Sequence, residues 1–157
     1  MKKSIVLWVL VMFAFVMKAA GELNYVIVEG KTYFSEDVRL GPNNVWIGTE
    51  NGLTMKASLK KVDAVMVDGK LLERLPVICC KGKSMGTALM EFVTQRNDLR
   101  LYKYHSDDCK LGCTFIDKSN EETMYFIYRN GQLYLRVDQK NAANVFAFFR
   151  INFNGKG

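Results

Sequence analysis

The stretch Met124-Tyr-Phe-Ile-Tyr-Arg-Asn-Gly-Gln-Leu-Tyr-Leu-Arg-Val137 alternates in polarity around a central Asn130-Gly131 pair. Asparagine and glycine tolerate the positive φ angles that a two-residue hairpin turn requires. A turn at this point would create one apolar face, with the pairs Tyr128–Leu133, Phe126–Leu135 and Met124–Val137. The opposite face would be half solvated, with the pairs Arg129–Gln132, Ile127–Tyr134 and Tyr125–Arg136. The stretch therefore predicts an antiparallel β-hairpin.

The same turn chemistry recurs along the chain, at Glu29-Gly30, Asn51-Gly52 and Asp68-Gly69, between short runs rich in Val, Ile, Tyr and Phe. Such runs are typical of strands. They predict strands at Tyr25-Val28, Thr32-Phe34, Val38-Leu40, Val45-Thr49, Leu53-Ala57 and Val62-Val67, and a hairpin of Leu89-Thr94 with Leu99-Tyr104 that turns at Asn97-Asp98. We expect a mainly β fold, in which short antiparallel strands form one or two small curled sheets or barrels.

One helix is predicted near the C-terminus. The apolar residues Ala142, Val145, Phe146 and Phe149 recur at helical spacing, and Asp138 precedes them as a candidate N-cap. This stripe predicts an amphipathic helix that packs its apolar side against the sheet.

The N-terminal segment has the layout of a secretory signal peptide. Lys2 and Lys3 precede an apolar run from Ile5 to Met17, and Ala19-Ala20-Gly21 supplies small residues for cleavage. The run is shorter than the roughly 20 residues that a membrane-spanning helix needs. We therefore expect residues 1–21 to be removed on export, which leaves no transmembrane segment in a protein that is periplasmic, associated with the outer membrane or secreted.

The remaining residues allow two arrangements. A boundary near Arg74-Leu75-Pro76 would divide them into a small β unit at 22–75 and a hairpin unit with the C-terminal helix at 76–157. Alternatively, the two halves share one core.

The charge of the chain gives no indication of nucleic-acid binding. The signal segment removes 21 of the 157 residues, including three of the 22 basic residues and none of the 16 acidic ones, so the net charge falls from +6 to +3. The remaining Lys and Arg residues are scattered rather than concentrated on one element, as a nucleic-acid interface would require.

All four cysteines follow the signal segment, where an oxidising environment favours disulfides. Cys79 and Cys80 are adjacent, so a bridge between them would be strained, and two cross-links from this pair to Cys109 and Cys113 are preferred. A short Cys109–Cys113 loop with two free thiols is the alternative.

His105 is the only histidine, and it lies close to Cys109 and Cys113. The three could ligate zinc on a helix, but Gly112 and the strand-like flanks disfavour a helix there. A nucleophilic thiol activated by His105 would give a small thiol-dependent or hydrolytic enzyme, although no protease signature surrounds either cysteine. We therefore predict no metal, no cofactor and no catalytic residues, and keep the enzyme as the alternative.

Tyrosine is enriched at protein interfaces, and several tyrosines fall in predicted strands. If some share an exposed sheet face, they would form a recognition surface. The candidate binding residues are Tyr102, Tyr104, Tyr125, Tyr134 and Arg136.

Part of the chain resembles a recurrent strand pair of small uncharacterised exported proteins of Bacteroidetes-type bacteria. The resemblance is carried by Phe92-Val-Thr-Gln-Arg-Asn97 followed by Leu99-Arg-Leu-Tyr-Lys-Tyr104. Two further stretches fit the same pattern, Gly30-Lys-Thr-Tyr-Phe34 and Val137-Asp-Gln-Lys-Asn-Ala142. This resemblance implies export and a β-rich fold, and it supplies no catalytic residues. We expect a non-catalytic binding or accessory module of the cell envelope, which recognises a protein or peptide through a sheet face or an edge strand. A structural subunit of an envelope assembly is a further alternative.

Overall fold

The computed structural model describes residues 24–78, 83–105, 115–116 and 122–152. Within them the protein is mainly β, with two antiparallel sheets and one helix near the C-terminus, and neither sheet closes into a barrel. The predicted fold class is confirmed.

Twelve strands, one 3-10 turn and one α-helix make up the described part. The strands are β1 (Tyr25–Val28), β2 (Lys31–Phe34), β3 (Val38–Leu40), β4 (Asn44–Gly48), β5 (Thr54–Ser58), β6 (Val62–Val67), β7 (Lys70–Ile78), β8 (Ser84–Arg96), β9 (Leu99–His105), β10 (Phe115–Ile116), β11 (Glu122–Arg129) and β12 (Gln132–Arg136). The 3-10 turn spans Leu59–Lys61, and the helix, α1, spans Ala142–Phe149.

The larger sheet has the strand order β10-β11-β9-β8-β7-β6-β1-β2, and β12 pairs with β11. Its hairpins turn at the predicted Glu29-Gly30, Asp68-Gly69 and Asn97-Asp98 positions. The smaller sheet has the order β3-β4-β5. The expected boundary near Pro76 falls inside β7, which pairs with β6 on one side and β8 on the other, so strands from both halves belong to one sheet.

The larger sheet is curled, and its concave side, here called the inner face, encloses some of the sheet's own side chains. Tyr128 on β11 donates a hydrogen bond to the carbonyl of Pro76 on β7 at 2.5 Å, although β9 and β8 lie between these strands. In a flat sheet β11 and β7 would be about 14 Å apart, three steps of roughly 4.8 Å. The sheet must therefore bend for the contact to form. The curl encloses the inner core, which consists of Leu75, Val77, Met90, Tyr102, Met124, Phe126 and Tyr128.

The opposite side, the outer face, carries two further cores. At one end α1 packs on the sheet and forms the helix core of Leu101, Ile127, Val137, Ala142, Val145, Phe146 and Phe149. At the other end the smaller sheet covers β1 and β6 and forms the small-sheet core of Val26, Val38, Val45, Ile47, Val62 and Val65.

Helix α1 buries the predicted stripe, since Ala142, Val145, Phe146 and Phe149 are its buried residues. Its start differs from the prediction, because the N-cap is Asn141 and not Asp138. The Asp138 carboxylate instead accepts hydrogen bonds from the main-chain nitrogens of Lys140 and Asn141, at 2.9 and 3.0 Å, and so fixes the turn before the helix.

The Asn130-Gly131 hairpin forms, but its predicted register holds only near the turn. The observed pairs are Arg129–Gln132, Tyr128–Leu133, Ile127–Leu135 and Phe126–Arg136. The predicted pairs Phe126–Leu135, Ile127–Tyr134, Tyr125–Arg136 and Met124–Val137 are wrong. Tyr134 is an extra residue in β12, a bulge that shifts every later pair by one. The shift moves Val137 to the outer face, where it is buried beneath α1.

Candidate functional site

The tyrosines predicted to bind a partner do not form one surface. Tyr102 is buried in the inner core, and Tyr104 packs half-buried against the same core. Tyr125 lies on the outer face, where its ring meets the edge of Phe146 with 5.1 Å between centroids. Tyr134, at the bulge, is 54% exposed. Burial removes Tyr102 from contact with a partner, and Tyr134 is the most accessible ring of the four.

Arg136, the fifth predicted residue, lies at the end of β12 and is partly buried. Its carbonyl accepts a hydrogen bond from the Asn141 side-chain amide at 3.0 Å. This contact ties the end of β12 to the start of α1.

A half-buried polar cluster lies on the inner face beside the core. The Glu73 carboxylate is 2.6 Å from the Tyr102 hydroxyl, which donates to it, and it forms a two-pronged ion pair with Arg100 at 2.8 and 3.2 Å. The Arg100 guanidinium also stacks on Phe92, 4.8 Å from the ring centroid. The hydrogen bond from Tyr102 and the ion pair with Arg100 both link β7 to β9 across β8, so the cluster stabilises the curled form of the sheet.

The two buried phenols of the inner face are held in their neutral form. Burial, reinforced by the hydrogen bond to Glu73, raises the pKa of Tyr102 well above its ordinary value of 10. Burial alone raises the pKa of Tyr128 in the same direction. Both hydroxyls therefore act as hydrogen-bond donors, which is a structural role, and neither is activated as a nucleophile.

The exposed Tyr134 ring belongs to a small polar stack at the tips of two hairpins. The Arg129 guanidinium lies 4.6 Å from the ring centroid, and its Nε is 2.8 Å from an Asp98 carboxylate oxygen. The ion pair joins the β8–β9 turn to the β11–β12 turn. Because Asp98 offsets the charge of Arg129, the stack presents a weakly charged aromatic surface.

Most sheet edges in the described part are protected against the addition of another strand. Bulges, short length and lysines are common protective devices. β12 carries the Tyr134 bulge and the Asn141 contact at its end. β3 has only three residues. The outer main-chain groups of β5 belong to Thr54, Lys56 and Ser58, which places a lysine at the centre of that edge.

The edge formed by β2 has fewer of these devices. Glu29 and Gly30 both have positive φ, so Val28 and Lys31 close a two-residue hairpin and exchange main-chain hydrogen bonds. The N–H and C=O groups of Thr32 and Phe34 consequently point away from β1. Within the described residues these groups have no hydrogen-bond partner. β2 pairs with β1 without a bulge, and both outward residues are uncharged.

An apolar row runs from this edge across the inner face. It is defined by Phe34, Tyr25, Met66 and Leu71, which are paired across β2, β1, β6 and β7. Phe34 is 63% exposed, and the other three are half-buried. The row belongs to none of the three cores. An open edge and an unburied apolar row therefore meet at Phe34.

Part of this site can be predicted from the sequence. The Glu29-Gly30 turn fixes the pairing of Tyr25 with Phe34, and alternation places both on the same face. The pairing of β1 with β6 cannot be predicted from the sequence, because all strands of the smaller sheet lie between them along the chain.

Other predicted features lie partly outside the described residues. Cys79, Cys80, Cys109 and Cys113 are all outside them, as is the side chain of His105, so their pairing and chemistry stay predictions. Residues 1–21, the expected signal segment, are outside as well. Among the described residues, no group of three or more His, Cys, Asp or Glu side chains could hold a metal ion. No helix in this part combines the length and apolar character needed to cross a membrane.

Within the described residues, the geometry thus places an open strand edge beside the apolar row at β2, and a polar cluster with a structural role on the inner face. No known protein family, curated protein or solved structure matches the chain.

Proposed function

We propose that this protein is an exported, non-catalytic binding module of the bacterial cell envelope that takes up an extended segment of a partner protein along β2. The observation that carries the proposal is the pair of outward-facing residues Thr32 and Phe34, whose main-chain groups have no partner within the described residues. Export is supported by the sequence of residues 1–21.

Strand addition would use two sources of binding energy. The N–H and C=O groups of Thr32 and Phe34 can form four main-chain hydrogen bonds with an added strand. Apolar side chains of the added strand would cover Phe34 and extend the apolar row, since side chains of neighbouring strands pair on the same face. The hydrogen bonds give affinity for any extended segment, and the row selects for an apolar one.

The proposal differs from the expected tyrosine surface in its location. Tyr134 lies on a bulged strand at the opposite end of the larger sheet, and the Arg129 guanidinium already stacks on its ring.

Site-specific photo-crosslinking in cells of the protein's own organism would test the proposal. A photoreactive phenylalanine analogue at Phe34 should form an adduct with an extended segment of an envelope protein, identified by mass spectrometry. Leu53, which is 71% exposed and lies outside β2, is the control position. Equal adduct formation at both positions would contradict a specific site.

A proline substitution would show whether the adduct depends on strand addition. Thr32→Pro removes an outward-facing N–H, which a folded edge strand tolerates, and adduct formation at Phe34 should be lost. The matched control Thr54→Pro removes an outward-facing N–H from β5 and should leave the adduct intact. Persistence of the adduct in Thr32→Pro would show that binding does not use the β2 main chain.

A further inference from the structure

The outward-facing residues of β2 are arranged so that the strand is complementary to itself. Thr32 and Phe34 lie on either side of Tyr33. If two copies of β2 run antiparallel with a two-fold axis at Tyr33, Thr32 of each copy faces Phe34 of the other. The outward N–H and C=O groups of the two strands then meet, and no outward group of Thr32 or Phe34 is left unmatched.

We propose that the extended segment that β2 takes up is β2 of a second copy of this chain, with Tyr33 on the two-fold axis. This inference rests on the proposed use of β2 as a strand-addition site, and it specifies the partner and the register.

The side chains fit this register on both faces. On the outer face the half-buried Tyr33 of each copy would lie opposite its counterpart. The two residues would form a non-hydrogen-bonded antiparallel pair, in which the side chains are closest and aromatic contacts are favoured. On the inner face the two Phe34 rings would be diagonal neighbours, a separation that aromatic side chains can bridge. The apolar rows of the two copies would then form one stripe across eight strands.

The charges do not oppose the pairing. Lys31 is exposed, and in this register it lies opposite Ser35 of the second copy, so no like charges face each other along β2. Two charged residues beyond the strand ends, Glu29 and Asp37, have partners of their own. Glu29 forms an ion pair with Lys61 at 3.0 Å, and Asp37 forms one with Arg39 at 3.2 Å.

A four-residue strand pair buries less area than the roughly 1,200 Å² of a stable protein interface. We therefore expect a reversible dimer that depends on protein concentration, and a covalent trap is the suitable assay.

The test uses variants of the purified protein with one introduced cysteine, under mild oxidation. In the proposed register the Cα atoms at position 33 would be about 4.5 Å apart, which a disulfide can span. The variant Tyr33→Cys should therefore form a disulfide-linked dimer, and peptide mapping should show that the bond joins position 33 of one copy to position 33 of the other. Thr32→Cys is the control, because its two copies would be about 8 Å apart, beyond the span of a disulfide.

The outcomes separate this inference from the proposed function. Cross-linking at position 33 and not at position 32 supports the dimer, provided that adding Thr32→Pro to Tyr33→Cys abolishes it and adding Thr54→Pro does not. Equal cross-linking at both positions, or none at position 33 with circular dichroism showing a folded variant, overturns it. If cross-linking at position 33 fails while Phe34 still captures a different envelope protein in cells, only the second copy is excluded. Failure of both assays excludes strand addition on β2 altogether.

Discussion

Replacing Tyr128 by phenylalanine removes the hydroxyl that joins β11 to β7 across the curled sheet. The ring of Tyr128 is 1% exposed, and its hydroxyl donates to the Pro76 carbonyl at 2.5 Å. The phenyl ring of the variant fills the same space, so the core loses no apolar volume. The cost is one net hydrogen bond plus partial desolvation of an acceptor without its donor, about 1–2 kcal/mol of unfolding free energy at neutral pH.

The difference between the two proteins should shrink at high pH. Burial raises the pKa of Tyr128 above its ordinary value of 10, so the phenol is neutral in the folded protein while it ionises in the unfolded chain. The parent protein therefore loses stability as the pH rises past about 10, by roughly 1.4 kcal/mol at pH 11 from this residue. The phenylalanine variant has no phenol to ionise at this position, so its deficit at pH 11 should be close to zero.

Urea unfolding followed by circular dichroism, at neutral pH and near pH 11, measures both quantities. Tyr134→Phe is the control, because its exposed ring makes a change within about 0.5 kcal/mol the expectation at neutral pH. Two results would refute the reasoning. One is a Tyr128→Phe variant as stable as the parent at neutral pH, and the other is a deficit that stays constant or grows as the pH is raised.

Two further pairs of substitutions test local packing, one pair in α1 and one in the region of the smaller sheet. Phe146→Ala should lower the free energy of unfolding by about 3–5 kcal/mol, because its ring is buried beneath α1. Phe148→Ala in the same helix should lower it far less, since Phe148 is 36% exposed. Urea unfolding compares the two variants. Gly41→Ala places a Cβ 2.5 Å from the Trp46 ring and should shift the fluorescence of Trp46 and cost about 1–3 kcal/mol. Gly52→Ala meets no atom within 4 Å but has a φ of +73°, so it should lower stability without moving Trp46. An unshifted Gly41→Ala spectrum would contradict the close approach.

Local chemistry was sufficient to predict most strands and the stripe of α1. The turns at Glu29-Gly30, Asp68-Gly69 and Asn130-Gly131 depend on two adjacent residues at positive φ, and the sequence shows directly which residues tolerate that conformation. Alternation then assigns the faces of each hairpin near its turn.

The bulge at Tyr134 depends on packing that the hairpin sequence does not contain. It brings Val137 to the outer face, where it joins the helix core together with Val145 and Phe146 of α1. Without the bulge, alternation would place Val137 on the inner face with Met124, and the helix core would lack a buried residue at its edge. The sequence of the hairpin alone favours a regular register. The shift is explained by packing against α1, which follows the hairpin.

The curl of the larger sheet was equally out of reach of the sequence. The hydrogen bond between Tyr128 and Pro76 joins residues 52 positions apart in the chain. The exposure of the individual candidate tyrosines could not be predicted for the same reason, because the curl decides which strand face is enclosed. Tyr102 and Tyr134 have similar neighbours in sequence, yet one is buried at 1% and the other is 54% exposed.

The positions of lysine residues favour β2 over β5 as the edge for the proposed strand addition. Lys56 lies at the centre of β5 with its main-chain groups facing outward, so an added strand would have to pair directly against its charge. Lys31 starts β2, but its main-chain groups face β1 and its side chain lies on the outer face, away from the apolar row. The Lys31 charge therefore lies at the end of β2, where it limits the length of an added strand. The outward main-chain groups of Thr32 and Phe34 remain accessible to that strand. An edge with an apolar face and an open centre is an aggregation hazard unless it is covered in use. This hazard is what makes strand addition at β2 a better explanation of the exposed Phe34 than chance exposure of a single aromatic ring.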